Sequence, residues 1–204
     1  MKFKKLMAAV TTGVLAVTSL SLSGLIGSAE VQELMNDTFE SGYGAWKGVG
    51  SSLSLSTEQA HNGGTSLYCY DRTANWGAPR CSLTGIVAAG QSYEISASAM
   101  YEGSGQQNMA IKMIYTDANG TDHYDQVAAA QATAGQWVEI KGNYTVPSGA
   151  TDMILYVEMP SANTDQTYYI DDVVIKGEKT EIQLDDKFES DFDNNSTQKW
   201  NGRG

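Results

Sequence analysis

The 204-residue sequence predicts an all-β protein, and more specifically a β-sandwich of the jelly-roll type. Two observations favour this fold class. Short runs rich in Val, Ile, Tyr and Thr are separated by turns rich in Gly, Asn, Asp and Ser. No long segment after the N-terminus has helical periodicity. Many short strands at this spacing are typical of sandwiches and jelly rolls.

The first element, residues 1–29, is predicted to be a signal peptide that is not part of the fold. Three Lys within the first five residues precede an apolar run, and the segment ends in the small residues Gly-Ser-Ala. The alternative is a retained membrane anchor, which is disfavoured because Thr, Ser and Gly interrupt the apolar run. We therefore expect a secreted, extracellular protein with no membrane association after cleavage.

The charge of the chain restricts the class of partner. The formal net charge is −11, and loss of the three Lys of the signal peptide makes it −14. A strongly acidic domain is repelled by nucleic acid and by anionic membranes, so neither is expected as a partner. A neutral polysaccharide is not repelled.

Eight strands are predicted in the mature chain, each bounded by turns that contain Gly, Asn, Asp or Pro. In chain order they are Ser52–Ser56, Ser66–Tyr70, Tyr93–Tyr101, Met109–Thr116, Tyr124–Ala128, Trp137–Val146, Asp152–Met159 and Tyr168–Ile175.

The predicted strand Asp152–Met159 has two unlike faces, because side chains alternate along a strand. One face carries Met153, Leu155, Val157 and Met159, and the other carries Ile154, Tyr156 and Glu158. An aromatic ring beside a carboxylate outside the core indicates either a solvated sheet face or a sugar site. In a sugar site a pyranose ring stacks on the aromatic ring and its hydroxyls hydrogen-bond to the carboxylate.

Cys69 and Cys81 are the only cysteines of the chain. Export permits a disulfide, and the short separation of the two residues suits neighbouring strands. In an anaerobic host the thiols can stay reduced, so the sequence leaves both states open.

The C-terminal part of the chain repeats its beginning. Residues 36–176 form the predicted module, and the charged, apolar-poor residues 177–186 form a predicted linker. Residues 187–204 then repeat the Phe-Glu-Ser and Trp-x-Gly-x-Gly motifs that begin at Phe39 and Trp46. Two ordered matches predict that this segment is the truncated start of a second similar module, so further modules are expected to be covalently linked.

A set of motifs runs in a fixed order through this module. They are Phe39-Glu40, Trp46, Gly64-Thr65-Ser66-Leu67, Asp71-Arg72-Thr73-Ala74-Asn75-Trp76-Gly77, Tyr156-Val157-Glu158 and Tyr168-Tyr169-Ile170-Asp171-Asp172-Val173. This pattern resembles the family 22 carbohydrate-binding modules, which belong with families 4 and 9 in one superfamily. The resemblance implies a jelly roll attached to a secreted modular xylanase, with xylan or a related β-glycan such as mixed-linkage β-glucan as ligand.

The resemblance also implies the binding residues. It places the xylan cleft at Trp76, Tyr124, Tyr156 and Glu158, together with Arg72 of the Arg-Thr-x-x-Trp motif. One position departs from the family, because Val49 stands where an Arg is usual, so a charge-assisted hydrogen bond to a sugar is missing there. Considered alone, a loop Trp could equally cap a core edge, and a strand Tyr could pack across strands.

A structural Ca²⁺ that ties the opening strand to the closing strand is a further implication of the resemblance. The matching ligands are Glu40 and Asp171, with backbone oxygens from nearby turns. The alternative is that both are solvated acids at a sheet edge.

No catalytic residue is predicted. Asp171 and Asp172 are neighbours in a strand and so point to opposite faces, and Glu158 has no carboxylate partner for glycoside hydrolysis. The sequence therefore favours a non-catalytic module that targets an attached glycoside hydrolase, by resemblance an endo-β-1,4-xylanase, to plant cell wall. The alternatives are a structural or adhesive module without a glycan ligand and a small jelly-roll glycosidase.

Overall fold

Two antiparallel β-sheets pack face to face in the computed structural model of the protein, which describes residues 30–178. The strands of this part of the chain are β1 (Val31–Asp37), β2 (Lys47–Val49), β3 (Ser52–Ser56), β4 (Ser66–Tyr70), β5 (Ala78–Ser82), β6 (Ser92–Tyr101), β7 (Gln106–Thr116), β8 (Asp122–Thr133), β9 (Val138–Thr145), β10 (Thr151–Glu158) and β11 (Tyr168–Glu178). The predicted β-sandwich is confirmed. None of the residues 30–178 lies in a helix long and apolar enough to cross a membrane.

The two sheets differ in strand order. One has the order β3-β4-β11-β6-β9, and β1 pairs with the part of β11 that β4 leaves uncovered. The other has the order β2-β5-β10-β7-β8. All eight predicted strands are present, whereas β1, β2 and β5 were not predicted. β2 has only three residues, and β5 contains Pro79, which is rare inside a strand.

Alternation along β10 divides the residues of this strand between two environments, as the sequence predicted. Met153, Leu155 and Val157 belong to the core between the sheets. Ile154 and Tyr156 instead pack in a small separate cluster on the outer face of the five-stranded sheet. The core therefore lies on one side of β10, and Ile154 and Tyr156 lie on the other side, as the alternation predicted.

The chain after β1 is fixed to the core by an indole ring. Trp46 is 2% exposed, and its Nε1 donates a hydrogen bond to Asp37 Oδ2 at 2.6 Å. The ring also meets Phe39 edge to face, with 6.0 Å between ring centroids. A buried indole N–H needs an acceptor, so the acid at the end of β1 and this Trp stabilise each other.

Cys69 and Cys81 lie on different sheets, in β4 and β5, and both are buried free thiols. The expectation that they occupy neighbouring strands is wrong. Burial raises the pKa of the Cys69 thiol, and it raises the pKa of the Cys81 thiol to about 11. Both thiols are therefore protonated and unreactive in the core at neutral pH.

Strand pairing at the ends of the sandwich extends beyond residues 36 and 176, the predicted limits of the module. β1 pairs with β11 from Val31 opposite Glu178 to Asp37 opposite Val173. The predicted limits at 36 and 176 therefore fall inside paired strands. β1 was missed because most of its residues are polar. The predicted signal peptide, most of the predicted linker and the predicted second module lie outside the described residues.

We expect a chain of residues 36–178 to be less stable than a chain of residues 30–178. The shorter chain lacks most of β1, including Met35, which is 8% exposed within the core. Loss of a buried Met side chain typically costs about 2–5 kcal/mol. Thermal unfolding of the two chains measures the difference, and Val31→Ala in the longer chain is the control because Val31 is 65% exposed. Equal melting temperatures for the two chains would show that β1 is dispensable.

Candidate functional site

A cleft lies on the outer face of the five-stranded sheet, over β10. It encloses about 570 Å³. Its lining consists of Val49, Asn75, Trp76, Arg80, Lys112, Tyr124, Tyr156, Glu158 and Pro160. The cleft thus contains four of the five residues that the sequence predicted for it, and it lacks Arg72.

The floor of the cleft is built by strand register. Tyr156 in β10 lies opposite Arg80 of β5 on one side and opposite Lys112 of β7 on the other. The same row continues to Lys47 in β2 and to Gln126 in β8. Residues opposite each other in adjacent strands share a face, so five polar or aromatic side chains cross the sheet in one line.

The three aromatic rings of the cleft are exposed to different degrees. Tyr156 is only 3% exposed and forms the floor, whereas Trp76 is 50% exposed and Tyr124 is 60% exposed. Burial, and then the nearby charge of Glu158, raise the pKa of Tyr156 to about 12, so this phenol stays protonated and can donate a hydrogen bond. The two exposed rings offer their faces to a ligand.

Arg80 connects the floor to one wall. Its guanidinium carbon lies 5.2 Å from the centroid of the Tyr156 ring and 5.8 Å from that of the Trp76 ring. Both distances are in the range of cation–π contacts. Its Nε is buried and has no hydrogen-bond acceptor among the described residues. Arg80 therefore brings a cation and unused donors to the cleft.

Glu158 is held beside a cation. Its side chain is 3% exposed, and Oε1 lies 2.5 Å from Lys112 Nζ. Oε1 has no hydrogen bond of ordinary geometry, so this contact is an ion pair. Glu158 is the only acid among the residues that line the cleft. A second carboxylate for glycoside hydrolysis is thus not placed across it.

Two glycines hold Trp76 in position. A Cβ at Gly50, whose φ is +63°, would lie 2.7 Å from Trp76 Cζ3. A Cβ at Gly77 would clash with the carbonyl oxygen of Gly50. The carbonyl of Gly50 also accepts a hydrogen bond from Thr73 N at 2.9 Å. The loop of residues 71–77, called the Trp loop below, therefore packs directly on the backbone that follows β2.

The side chain of Arg72 lies beneath this loop, and the residue is 4% exposed. Its Nε donates to the Gly77 carbonyl at 3.1 Å, and its Nη1 donates to the Asn163 carbonyl at 3.2 Å. Its Nη2 donates to the carbonyls of Asn75 at 2.6 Å and Met159 at 3.1 Å. The structure thus places the predicted ligand-binding Arg72 under the cleft, where it joins the Trp loop to the segment after β10.

The predicted metal ligands lie away from the cleft, against the loop that precedes β4: Asp171 is in β11 of the other sheet, and Glu40 is in the turn after β1. Glu40 Oε1 accepts hydrogen bonds from the backbone N–H groups of Gly64 and Thr65 at 3.0 and 2.9 Å. Asp171 Oδ2 accepts from the N–H groups of His61 and Asn62 at 2.9 and 3.3 Å. The two carboxylates thus converge on one turn. No cluster of three or more His, Cys, Asp or Glu side chains suited to a metal occurs in residues 30–178.

Comparison with known proteins identifies the family. Residues 32–167 match the family model described as a carbohydrate binding domain. The structure of the CBM22-1 xylan-binding domain from Paenibacillus barcinonensis Xyn10C superposes with a TM-score of 0.67 and 31% sequence identity, covering 74% of this chain and 97% of that domain. This chain belongs to the family 22 carbohydrate-binding modules.

Two curated relatives of this family 22 module are much longer proteins. A xylanase/beta-glucanase of Ruminococcus flavefaciens is 32% identical over 154 residues, which cover 74% of this chain and 19% of the relative. Endo-1,4-beta-xylanase A of Thermotoga neapolitana is 36% identical over 156 residues, which cover 72% of this chain and 14% of the relative. The chain therefore spans less than a fifth of the length of either relative.

Arg80 and Lys112 are the charged cleft residues that the sequence analysis missed. Lys112 had a detectable signal, because in the predicted strand Met109–Thr116 it lies on the face opposite Ile111 and Met113. Arg80 had none, because its strand was not predicted.

Arg72→Met is expected to destabilise the module by at least about 2 kcal/mol, because buried carbonyl groups lose their donors. Trp76→Ala should change the free energy of unfolding by less than about 1 kcal/mol, since the ring is half exposed. Chemical denaturation of both variants measures these values. An Arg72→Met variant with an unchanged free energy of unfolding would show that the hydrogen bonds of Arg72 do not support the fold.

Proposed function

We propose that this module binds xylan in the cleft over β10, with mixed-linkage β-glucan as a second ligand. One observation carries the proposal: the buried ring of Tyr156 is flanked by the exposed rings of Trp76 and Tyr124 in one open cavity. Sugar rings present C–H groups on their faces and hydroxyls at their edges. A cleft with aromatic surfaces and a few polar groups matches both parts of such a ligand.

The polar groups of the cleft can bond to sugar hydroxyls from several directions. The carboxylate of Glu158 accepts hydrogen bonds, whereas Arg80 and Lys112 donate them. The phenol of Tyr156 can do either. A β-1,4-linked xylose chain is uncharged, so the acidic domain does not repel it. Xylose also lacks the hydroxymethyl group of glucose, which suits a cleft bounded by two aromatic rings.

Binding in such a cleft would serve an attached enzyme. The relatives are named as xylanases, and this chain corresponds to only a part of each of them. We therefore propose that the module belongs to a secreted modular protein with a tethered endo-β-1,4-xylanase domain. Holding that domain on plant cell wall raises its local substrate concentration without any new catalytic contact.

The alternative of a structural or adhesive module without a glycan ligand explains the cleft less well. A purely structural face has no need of two large aromatic rings that are 50% and 60% exposed beside a partly buried ion pair. Val49 removes one donor of the family pattern, but Arg80 places a guanidinium in the same cleft.

A bound Ca²⁺ at Glu40 and Asp171 is a separate part of the proposal. Asp171 is fully buried, it has no cationic partner among residues 30–178, and burial raises the pKa of its carboxyl group. Hard carboxylate oxygens near a backbone turn are suitable ligands for calcium, which also takes backbone carbonyls. These two acids would hold the ion, and the ion would supply positive charge that joins the turn before β4 to β11.

Trp76→Ala and Tyr124→Ala should each weaken retention by soluble xylan in affinity gels at least about 30-fold, which corresponds to ~2 kcal/mol per central aromatic residue. Both rings are half exposed, so the variants should fold normally. The matched control is Tyr43→Ala, which removes another exposed aromatic residue outside the cleft.

Two outcomes would contradict this prediction in different ways. Absence of any xylan retention by the unmodified module would remove the proposed function. Retention that survives both cleft substitutions would place the ligand elsewhere on the module.

Calcium should stabilise the module against heat. A ligand present at a hundred times its Kd stabilises the folded state by about 2.7 kcal/mol. We therefore expect a chelator to lower the melting temperature by several degrees, and added calcium to restore it. Glu40→Gln should abolish the response, whereas Glu139→Gln, which alters an exposed acid of β9, should not. A melting curve insensitive to chelator would refute the calcium site.

A further inference from the structure

Positive charge is concentrated on one row of the cleft sheet. Residues 30–178 contain six Lys and Arg against eighteen Asp and Glu. Three of these six cations, Lys47, Arg80 and Lys112, lie in the single cross-strand row that runs through Tyr156. An otherwise acidic domain thus carries half of its cations along one line of the binding face.

Two of these cations are free of carboxylate partners. Lys112 is neutralised by its ion pair with Glu158. Within the described part of the chain, no Asp or Glu forms a salt bridge with Lys47 or Arg80. The buried Arg80 Nε also lacks an acceptor. A partly buried guanidinium with unused donors favours a planar anionic acceptor, because Arg and a carboxylate can form paired hydrogen bonds.

A second cavity adjoins the cleft at these cations. It encloses about 450 Å³ and is lined by Ala45, Lys47, Val49, Arg80, Ser82 and Ile154. Val49 and Arg80 line both cavities. A polymer backbone that lies over Tyr156 would therefore have a side space next to it, and the two unpaired cations border that space.

We propose that this second cavity binds a uronic acid substituent carried by the xylan chain, with its carboxylate held by Arg80 and Lys47. The inference rests on the proposed xylan binding and adds a preference for acidic over neutral chains. The side space accommodates a branch rather than the main chain. Val49 and Arg80 border both cavities, and Ile154 and Ala45 provide apolar contact for a sugar ring.

The test compares one polymer in two chemical states. Soluble glucuronoxylan is used either as it is or after carboxyl reduction, which converts each uronic acid into a neutral hexose and leaves the xylose chain intact. Calorimetric titration at low salt should give an affinity at least about tenfold higher for the acidic polymer, as expected for a charge-assisted hydrogen bond. The ratio of the two affinities, acidic polymer over reduced polymer, should fall towards one in 0.5 M NaCl (roughly a 4 Å screening length), because salt screens partly exposed charges.

Three variants assign the effect to residues. Arg80→Gln should bring the ratio close to one. Lys47→Gln should reduce it by about twofold to threefold, and this exposed side chain can be changed without disturbing the fold. Lys141→Gln is the matched control, because it removes a cation of the other sheet that pairs with Glu94, and it should leave the ratio unchanged.

The outcomes separate this inference from the function on which it rests. Equal affinity of the unmodified module for the two polymers overturns the uronic acid site and leaves xylan binding intact. A ratio that persists in Arg80→Gln and Lys47→Gln also overturns it. Binding of neither polymer overturns both proposals.

Discussion

The guanidinium of Arg72 joins two loops that are far apart in the sequence and together form one end of the cleft. Burying an unpaired charge costs several kcal/mol, and Arg does not lose its proton to avoid that cost. Four backbone carbonyls at 2.6–3.2 Å offset the cost here, and the ring of Tyr168 lies 5.6 Å away. Because these carbonyls belong to the Trp loop and to the segment after β10, one cation fixes both relative to the sheet. The position of Trp76 over the cleft depends on it.

The cleft combines a rigid floor with accessible walls. Tyr156 is immobilised by its buried position, by the guanidinium of Arg80 and by neighbouring strands. Its side chain therefore loses little conformational entropy when a ligand binds. Trp76 supplies exposed aromatic area from the loop before β5, and Tyr124 supplies it from the edge strand β8. The ion pair of Glu158 with Lys112 places two opposite charges side by side in the cleft. Shape and polarity are thus set by residues that do not need to move.

The sequence alone predicted the features that follow from local periodicity, namely most of the strands and the face on which a strand residue lies. Alternation in β10 assigned Tyr156 and Glu158 to the outer face, and the motif resemblance added Trp76 and Tyr124. Arg80 was not assigned from the sequence, because no strand was predicted around this residue and its side chain reaches the cleft only through the pairing of β5 with β10. The orientation of Arg72 was also beyond reach, because its acceptors lie mostly in loops whose positions follow from tertiary packing. The predicted module limits at 36 and 176 fall inside paired strands for the same reason, as β1 is defined by its partner and not by its own composition.

The pairing of β1 with β11 brings both ends of the module to one point, with Val31 opposite Glu178. A pulling force transmitted along the polypeptide would therefore act across this ladder at its open end. Such a force breaks the hydrogen bonds of an antiparallel pair one after another, so each step resists only weakly. The cleft strand β10 lies in the other sheet and carries none of this load directly. Under tension β1 would therefore detach from β11 first, before the sheet that carries the cleft is distorted.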